Sequence, residues 1–216
     1  MMAYKYIPAK WAKVAISDQR LKLSIFSELN DPFELSGFNL RDPAMRVFHA
    51  KQYKKISDEY GMISFSEDYR SPLMWSHYAE QHTGVCLGFE VPNDDLYKVR
   101  YRKDRFKLDG KAVLARGDLE NLITVKYSEW KYERERRILS PLRNAIKIGD
   151  KYYEPFGARL QLKEILLGID CKHTVDEYRA LLKKKYKNNV PIHVHKLSLA
   201  VTKFGVTKTK HKPINI

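Results

Sequence analysis

Cysteine is scarce in this sequence, and long apolar runs are missing. Two cysteines, Cys86 and Cys171, in 216 residues cannot form a disulfide scaffold or a cysteine-rich zinc cluster, and they suit a reducing compartment. Since no run reaches about 18 apolar residues, neither a membrane-spanning helix nor a membrane partner is expected. The N-terminus, Met1 to Tyr6, lacks the apolar core of a secretory signal. We therefore predict a cytoplasmic protein.

Acidic residues are missing from the last part of the chain, after Glu177. Residues 178–216 carry ten lysine or arginine side chains, while the net charge of the whole chain is +14. A basic field of this kind attracts polyanions such as nucleic acid, phosphorylated cofactors and anionic surfaces. The alternative is a solvated basic segment that only aids solubility. Under the first interpretation Lys183, Lys184 and Lys185 contact nucleic acid.

Internal repeats, low-complexity segments and Gly/Ser linkers are also missing, which favours a single domain over residues 1–216 with a basic C-terminal third, 178–216. Strand-like segments outnumber helical ones and do not alternate with them regularly. This pattern predicts an α+β fold with a mixed, largely antiparallel sheet and several helices. The helices are predicted at 43–60 (ended by Gly61), 72–80 and 174–186, and the main strands at 21–25, 61–66, 85–91, 96–102, 137–139, 146–153 (a hairpin), 162–169, 190–200 and 201–209.

The densest group of polar aromatic residues follows the strand that ends with Ser64 and Ser66. Trp75, His77 and Tyr78 lie on the next short helix, where residues three apart share a face. Such a group could stack a nucleotide base or a nicotinamide ring. The alternative is that the aromatic residues belong to the core and that the histidine satisfies a buried carbonyl.

A run of alternating charges from Trp130 to Arg137 is the second candidate site. If this segment is extended, Glu133, Glu135 and Arg137 share one face. Two such carboxylates could perform acid–base work or stabilise an oxocarbenium ion, and Arg137 would keep one of them ionised. The alternative is a ladder of surface salt bridges.

A turn from Asn30 to Glu34 could present carboxylate and amide groups at the rim of a cleft, or could simply close the first strand.

No metal is expected, because His193 and His195 share a strand face without a nearby cysteine or carboxylate to complete a ligand set. A Walker loop and the dinucleotide-binding glycine pattern are absent as well.

Several motifs occur in a characteristic order, including Asn30-Asp31-Pro32-Phe33-Glu34, Met74-Trp75-Ser76-His77-Tyr78, Gly84-Val85-Cys86-Leu87-Gly88-Phe89 and Tyr132-Glu133-Arg134-Glu135. In these motifs the chain resembles the bacterial family of domains of unknown function numbered 2971. The resemblance extends to Glu164-Ile165-Leu166-Leu167-Gly168 and so covers nearly the whole chain. It implies no established activity.

A more distant resemblance connects the chain to the mono-ADP-ribosyltransferase fold. Ser64-Phe65-Ser66 is similar to the second motif of that fold, and Glu133-Arg134-Glu135 is similar to the third. Lys5 stands where the first motif has arginine or histidine, and a lysine cannot form the bidentate contact of a guanidinium with pyrophosphate.

This likeness implies an NAD-dependent transferase and gives its residues specific roles. Glu135 would stabilise an oxocarbenium-like transition state, and Glu133 would orient or deprotonate the acceptor. Ser64 would support the ribose, and Tyr78 would stack on nicotinamide. The remaining residues expected at this site are Lys5, Ser66, Trp75, His77 and Arg137.

The rival prediction is a protein without catalysis that binds nucleic acid or another partner, in a defence or toxin locus. It rests on the acid-free C-terminal third and on the strip Tyr97 to Lys103, where aromatic and basic residues alternate. Arg100 and Arg102 would follow the phosphate backbone of the nucleic acid. The oligomeric state stays open.

Overall fold

A computed structural model describes residues 1–29, 31, 33–105, 122–186 and 191–209. The chain divides into two compact units that are both discontinuous in sequence. Unit 1 comprises Met1–Leu21, Phe65–Asp95 and Pro155–Ile216, and unit 2 comprises Lys22–Ser64 and Leu96–Glu154. The expectation of one domain over residues 1–216 stays a prediction.

The described strands are β1 (Met2–Ile7), β2 (Arg20–Leu23), β3 (Tyr60–Ser66), β4 (Val85–Glu90), β5 (Tyr97–Lys98), β6 (Arg100–Arg102), β7 (Val125–Tyr127), β8 (Glu135–Pro141), β9 (Ile146–Ile148), β10 (Lys151–Pro155), β11 (Gln161–Leu167), β12 (His193–Leu199) and β13 (Val206–Lys208). The described α-helices are α1 (Ala9–Asp18), α2 (Pro43–Glu59), α3 (Pro72–Tyr78) and α4 (Val175–Lys185). The predicted α+β class with a largely antiparallel sheet is confirmed. None of the described helices combines the length and the apolar character that crossing a membrane requires.

Unit 1 is organised around β4, which pairs antiparallel with β1 on one side and with β11 on the other. All of β4 except Glu90 is buried, and this explains its continuous apolar sequence. Beyond β11 the sheet continues with β12, which runs parallel to β11, and with β13. The parallel pair β11–β12 is connected through α4, so this part of the unit is a β-α-β crossover.

Local capping signals placed the starts of the three predicted helices correctly, whereas α1, which has no side-chain cap hydrogen bond, was not predicted. The Asp42 side chain accepts a hydrogen bond from the Ala44 backbone N–H at the start of α2. Thr174 and Glu177 form the reciprocal capping box of α4. Ser71 caps α3 by accepting from the Met74 N–H.

Unit 2 has its own apolar core, which contains Phe26, Leu35, Phe38, Met62 and Leu122. In this unit β5 pairs antiparallel with β8, and β6 pairs parallel with β7. The predicted hairpin is present as β9 and β10, with Gly149 at a φ of 60° in the turn.

Three predicted element boundaries were wrong. The strand predicted at 201–209 is present only as β13, and residues 201–205 form the turn before it. Helix α2 ends at Glu59, and Gly61 lies inside β3 rather than ending the helix. Gly61 is needed there because a Cβ atom would come within 2.9 Å of the Leu23 Cβ. The predicted strand 96–102 is interrupted at Val99, whose backbone N–H donates to the Glu135 carbonyl. Parts of three other predictions lie outside the described residues: Asn30 and Pro32 of the predicted turn, residues 119–121 of the segment 119–127, whose sequence fits a helix or a strand, and Val190.

The close approach at Gly61 predicts a stability cost for any side chain. We expect Gly61→Ala to lower the free energy of unfolding by about 1–3 kcal/mol, because the added methyl group overpacks the site. Gly157→Ala is the matched control, since a Cβ there meets nothing within 4 Å. Urea unfolding followed by circular dichroism measures both. An equal response of the two variants would contradict the packing role of Gly61.

Candidate functional site

Five charged side chains converge in unit 2 and are almost completely withdrawn from solvent. They are Glu34, Lys126, Glu133, Glu135 and Arg137, and none is more than 8% exposed. We call this group the ion cluster. Formally, three carboxylates face two cations. Charges are buried at this density only when they are paired and hydrogen-bonded, so the geometry of each pair decides what the cluster can do.

Local backbone features bring the two glutamates of the Glu-x-Glu motif to one place. Glu133 ends a 3-10 turn over Ser128–Glu133, and Arg134 follows in the left-handed region at a φ of 47°. Glu135 then opens β8, where Glu135 and Arg137 lie on one buried face. The prediction that Glu133 shares an extended strand with Glu135 was wrong, because the turn residue Arg134 separates them. Both carboxylates nevertheless reach the same lysine.

Arg137 is the most deeply buried charge and holds two carboxylates. Its Nε donates to Glu135 Oε1 at 2.8 Å, and its Nη2 donates to Glu135 Oε2 at 2.9 Å. Nη2 also donates to Glu34 Oε1, and Nη1 donates to the Ile123 carbonyl, both at 2.8 Å. The bidentate geometry with Glu135 is the strong form of an arginine–carboxylate pair. Burial lowers the pKa of Arg137, but the charges of Glu135 and Glu34 outweigh it and raise that pKa above its ordinary value.

Lys126, in the middle of β7, connects all three carboxylates. Its Nζ donates to Glu133 Oε2 at 2.6 Å and to Glu135 Oε2 at 3.1 Å, and it lies 3.2 Å from Glu34 Oε1. The Trp130 ring centroid is 5.1 Å from the same ammonium group, a cation–π distance. Burial lowers the pKa of Lys126, but the negative charges of Glu135, Glu34 and Glu133 outweigh this effect. The pKa is therefore above its ordinary value and the side chain stays charged.

Glu135 is held ionised by its surroundings. Burial raises the pKa of its carboxyl group, but the positive charges of Arg137 and Lys126 and the hydrogen bonds from Arg137 and Ser64 bring it well below the usual range. Ser64 and Glu135 are therefore in contact within unit 2, and the roles predicted for them toward a ligand stay predictions. The Glu135 backbone N–H also donates to the Tyr101 hydroxyl at 2.8 Å, which fixes the start of β8.

In unit 2, two buried carboxylate oxygens accept no hydrogen bond from the described residues. They are Asp31 Oδ2 and Glu34 Oε2. The other oxygen of Asp31 accepts from the Phe33 N–H. Unmet acceptors of this kind attract a donor from water or from a ligand.

A pocket of about 370 Å³ opens beside Lys126 in unit 2. We call it the cationic pocket. Its charged lining residues are Arg102, Lys103, Asp104, Arg105 and Lys126, and the rest of the lining consists of Phe33, Ser36, Gly37, Val125 and Tyr127. The Phe33 and Tyr127 side chains are largely exposed, and the Arg105 guanidinium lies 5.9 Å from the Phe33 ring. Four cations and two aromatic rings around one pocket suit an anionic ligand that carries a planar ring.

The other predicted site residues belong to unit 1. Trp75 is fully buried, its indole N–H donates to the Tyr69 carbonyl at 2.6 Å, and its ring packs edge-on against Tyr6 at 5.1 Å. Ser66 is also buried, and its hydroxyl accepts from the Asp68 N–H. These contacts give Trp75 and Ser66 structural roles in the core.

Three predicted residues of unit 1 reach the surface to different degrees. His77 is exposed near the end of α3, and its ring centroid lies 6.2 Å from that of the half-buried Tyr78. Lys5 lies in β1, opposite Leu87 of β4, and is half-buried. Their predicted roles toward a cofactor stay predictions.

The residues predicted to contact nucleic acid are exposed in both units. Arg100 and Arg102 lie on β6, and Arg100 also donates to the Thr124 hydroxyl at 3.3 Å. Lys183, Lys184 and Lys185 form the exposed last turn of α4, where they compensate the helix dipole. Among the described residues, no group of three or more His, Cys, Asp or Glu is placed to bind a metal ion.

Lys126 is the central residue that the sequence did not single out. The signal for it was faint: Lys126 is a lone cation directly after the largely apolar segment Leu122 to Val125, whose pattern fits a helix as well as a strand. A charge at a buried strand position requires a buried partner of opposite sign, and the acidic residues of the Glu-x-Glu motif supply it.

Comparison with protein families finds one match inside the chain. The model of a family described as "Protein of unknown function (DUF2971)" matches residues 74–138, fewer than half of the 216. The matched segment runs from α3 into β8 and contains four of the five ion-cluster residues. It supports the resemblance to this family of unknown function and does not extend to the ADP-ribosyltransferase fold. Comparison with curated proteins and with solved structures gave no match.

The ion cluster predicts a strong, pH-dependent stability effect. At neutral pH we expect Glu135→Gln to lower the free energy of unfolding by about 3–5 kcal/mol, because it leaves Arg137 and Lys126 undercompensated. Since the pKa of Glu135 is lower in the folded chain than in the unfolded chain, its contribution is complete above the ordinary pKa of 4.5. It is lost as the pH falls through the depressed folded value. The difference in unfolding free energy between the wild type and Glu135→Gln should therefore become smaller as the pH is lowered.

Urea unfolding at pH 7 and near pH 3 measures this difference. Asp58→Asn is the matched control, because the Lys54–Asp58 pair is exposed and contributes at most about 0.5 kcal/mol. An equal gap between wild type and Glu135→Gln at both pH values would show that the charge of Glu135 carries none of the stability.

Proposed function

We propose that unit 2 binds a nucleotide of the NAD class in the cationic pocket and that the chain is an ADP-ribosyltransferase-like enzyme. One observation carries the proposal: Lys126 lines the pocket and also donates to Glu133 and Glu135 of the ion cluster. A ligand in the pocket would therefore lie beside two carboxylates that the sequence likens to a transferase motif.

The pocket supports nucleotide binding in three ways. Arg102, Lys103, Arg105 and Lys126 provide cations for a pyrophosphate, and arginine can grip it in a bidentate manner. Phe33 and Tyr127 offer exposed rings for a base. A volume of about 370 Å³ is within the usual range of small-molecule sites, toward its lower end, and suits a mononucleotide-sized part of the ligand.

The proposed reaction is a substitution at the ribose carbon that carries nicotinamide. The carbon–nitrogen bond breaks, nicotinamide leaves with the electron pair, and an acceptor nucleophile forms the new bond and releases its proton. Negative charge beside the ribose stabilises the oxocarbenium-like transition state. Glu133 supplies that charge, while Glu135 holds Lys126 in place and is itself hydrogen-bonded by Ser64.

In the proposed mechanism, Glu135 does not contact the ligand itself. Its oxygens are occupied by Arg137, Lys126 and Ser64, so we assign it as a positioning residue that fixes Lys126 at the pocket wall. Glu133 bonds Lys126 through Oε2, and exchange of that contact for the ligand would bring a carboxylate to the ribose. Trp75 and Ser66 have no part in this mechanism.

Binding of NAD is tested by titration with tryptophan fluorescence as the readout. Trp130 is the natural reporter because its ring contacts Lys126, and Trp130→Phe identifies its signal. We expect saturable quenching by NAD and by ADP-ribose, and a dissociation constant raised at least about tenfold in Arg102→Ala/Arg105→Ala through loss of two phosphate contacts. Arg143→Ala is the matched control, since Arg143 is exposed in unit 2 and does not line the pocket.

Transfer is tested separately by release of nicotinamide from NAD. We expect release by the wild type and a loss of at least about 100-fold in kcat for Glu133→Gln, with NAD binding retained. Binding without nicotinamide release would leave a nucleotide-binding protein and overturn the transferase. Absence of both at millimolar NAD would overturn the whole proposal.

A second candidate function is binding of single-stranded nucleic acid. The observation that favours it is the exposure of Arg100, Arg102, Lys103 and Arg105 on the same unit as the exposed rings of Phe33 and Tyr127. Cations that follow a backbone and rings that stack bases are the usual elements of such sites.

Salt dependence tests this second function. We expect oligonucleotide affinity to fall linearly with the logarithm of salt concentration, with a slope about 0.7 units smaller for each phosphate-contacting cation removed from the strip. Fluorescence anisotropy with a labelled oligonucleotide measures the slope for wild type, Arg100→Ala/Arg102→Ala and the Arg143→Ala control. A slope near zero for the wild type would exclude this function.

A further inference from the structure

The hairpin formed by β12 and β13 in unit 1 projects apolar side chains into solvent. Leu199 is 68% exposed, and Val201 and Phe204 are essentially fully exposed. A soluble surface rarely presents three large apolar side chains within six residues of one turn, and such a patch usually marks an interaction site. Nothing in the proposed nucleotide site involves this hairpin.

The hairpin is an ordered, hydrogen-bonded extension of the sheet. Leu199 pairs with Val206 and Leu197 pairs with Lys208 in an antiparallel register. The Ala200 N–H donates to the Gly205 carbonyl at 2.9 Å and closes the turn, where Gly205 has a φ of 146° that an L-residue rarely adopts. The backbone that carries the exposed side chains is therefore held by hydrogen bonds.

The base of the hairpin is fixed to other parts of unit 1. The Val206 N–H donates to the Arg70 carbonyl at 3.3 Å. The Lys208 ammonium bonds Glu164 Oε1 at 2.6 Å and lies 5.2 Å from the centroid of the Tyr69 ring. With the base held, the tip can enter a partner surface without first being ordered, which reduces the entropic cost of binding.

We propose that this hairpin attaches the protein to anionic membrane surfaces, with Val201 and Phe204 entering the interface between headgroups and acyl chains. The tip contains Lys203 and no acidic residue, and no acidic residue follows Glu177 anywhere in the sequence. Apolar side chains beside a cation, on a chain of net charge +14, are complementary to an apolar interior beneath anionic headgroups.

The charge and the apolar side chains of the hairpin tip disfavour two other partners, a second copy of the chain and nucleic acid. A second copy of the chain carries the same charge of +14, so tip-to-tip association brings like charges together. Nucleic acid is matched by Lys203 but not by Leu199 and Val201, since aliphatic side chains do not stack on bases as aromatic rings do. The expectation of no membrane partner rested on the lack of a long apolar run, and attachment to a surface needs no such run.

The test is co-sedimentation of the full chain with vesicles of phosphatidylcholine alone and of phosphatidylcholine mixed with phosphatidylserine. We expect binding to the mixed vesicles only, weakened at least about tenfold in Val201→Ser/Phe204→Ser and, in a salt-dependent way, in Lys203→Glu. The matched control is Val14→Ser/Val47→Ser, which removes exposed apolar side chains from α1 and α2. All variants should keep the wild-type circular dichroism spectrum, because the changed side chains are exposed.

Several outcomes would overturn the proposal. One is absence of the wild type from the pellet with mixed vesicles, and another is equal binding by the wild type and the hairpin variant. Two further outcomes would reassign the hairpin when vesicle binding is absent. A dimer in light scattering that is lost in Phe204→Ser would indicate self-association, and oligonucleotide affinity lost in the same variant would indicate nucleic acid.

Discussion

The pairing of Arg137 with Glu135 is the contact on which unit 2 depends. A guanidinium with no solvent exposure needs carboxylates in a fixed geometry, and Glu135 and Glu34 provide them. Arg134, in the left-handed region, separates Glu133 from Glu135 in the chain, and both carboxylates nevertheless bond Lys126. The buried pair and the turn beside it thus meet at one ammonium group.

Lys126 gives this cluster a connection to the surface of the unit. The Lys126 ammonium group contacts three carboxylates, and the same residue lines the cationic pocket. If the proposed nucleotide binds there, a change in what fills the pocket would reach Glu133 and Glu135 through this single ammonium group. A cluster with core-like contacts would in that case also contribute to ligand binding.

Local sequence signals predicted the starts of α2, α3 and α4, because a cap and the residues it serves are close in the chain; α1 has no side-chain cap and was missed. Asp42 and the Thr174–Glu177 box are examples. Gly61 was misassigned because its role comes from Leu23, far away in sequence, and no local pattern contains that contact. Within the candidate site, the alternation of Glu135 and Arg137 was readable from the sequence. The place of Lys126 was not, since it depends on how β7 meets the turn before β8.

The segmental construction of the two units has a consequence for dissecting the protein. Unit 1 draws on three stretches of chain and unit 2 on two, with unit 2 lying between parts of unit 1 in the sequence. No single truncation point separates them: a fragment ending at Glu154 loses β11, β12 and α4, which complete the sheet beside β4. Isolating unit 2 would require joining Ser64 to Leu96 with a new linker. Deletion mapping of activity would report lost folding rather than the location of a function.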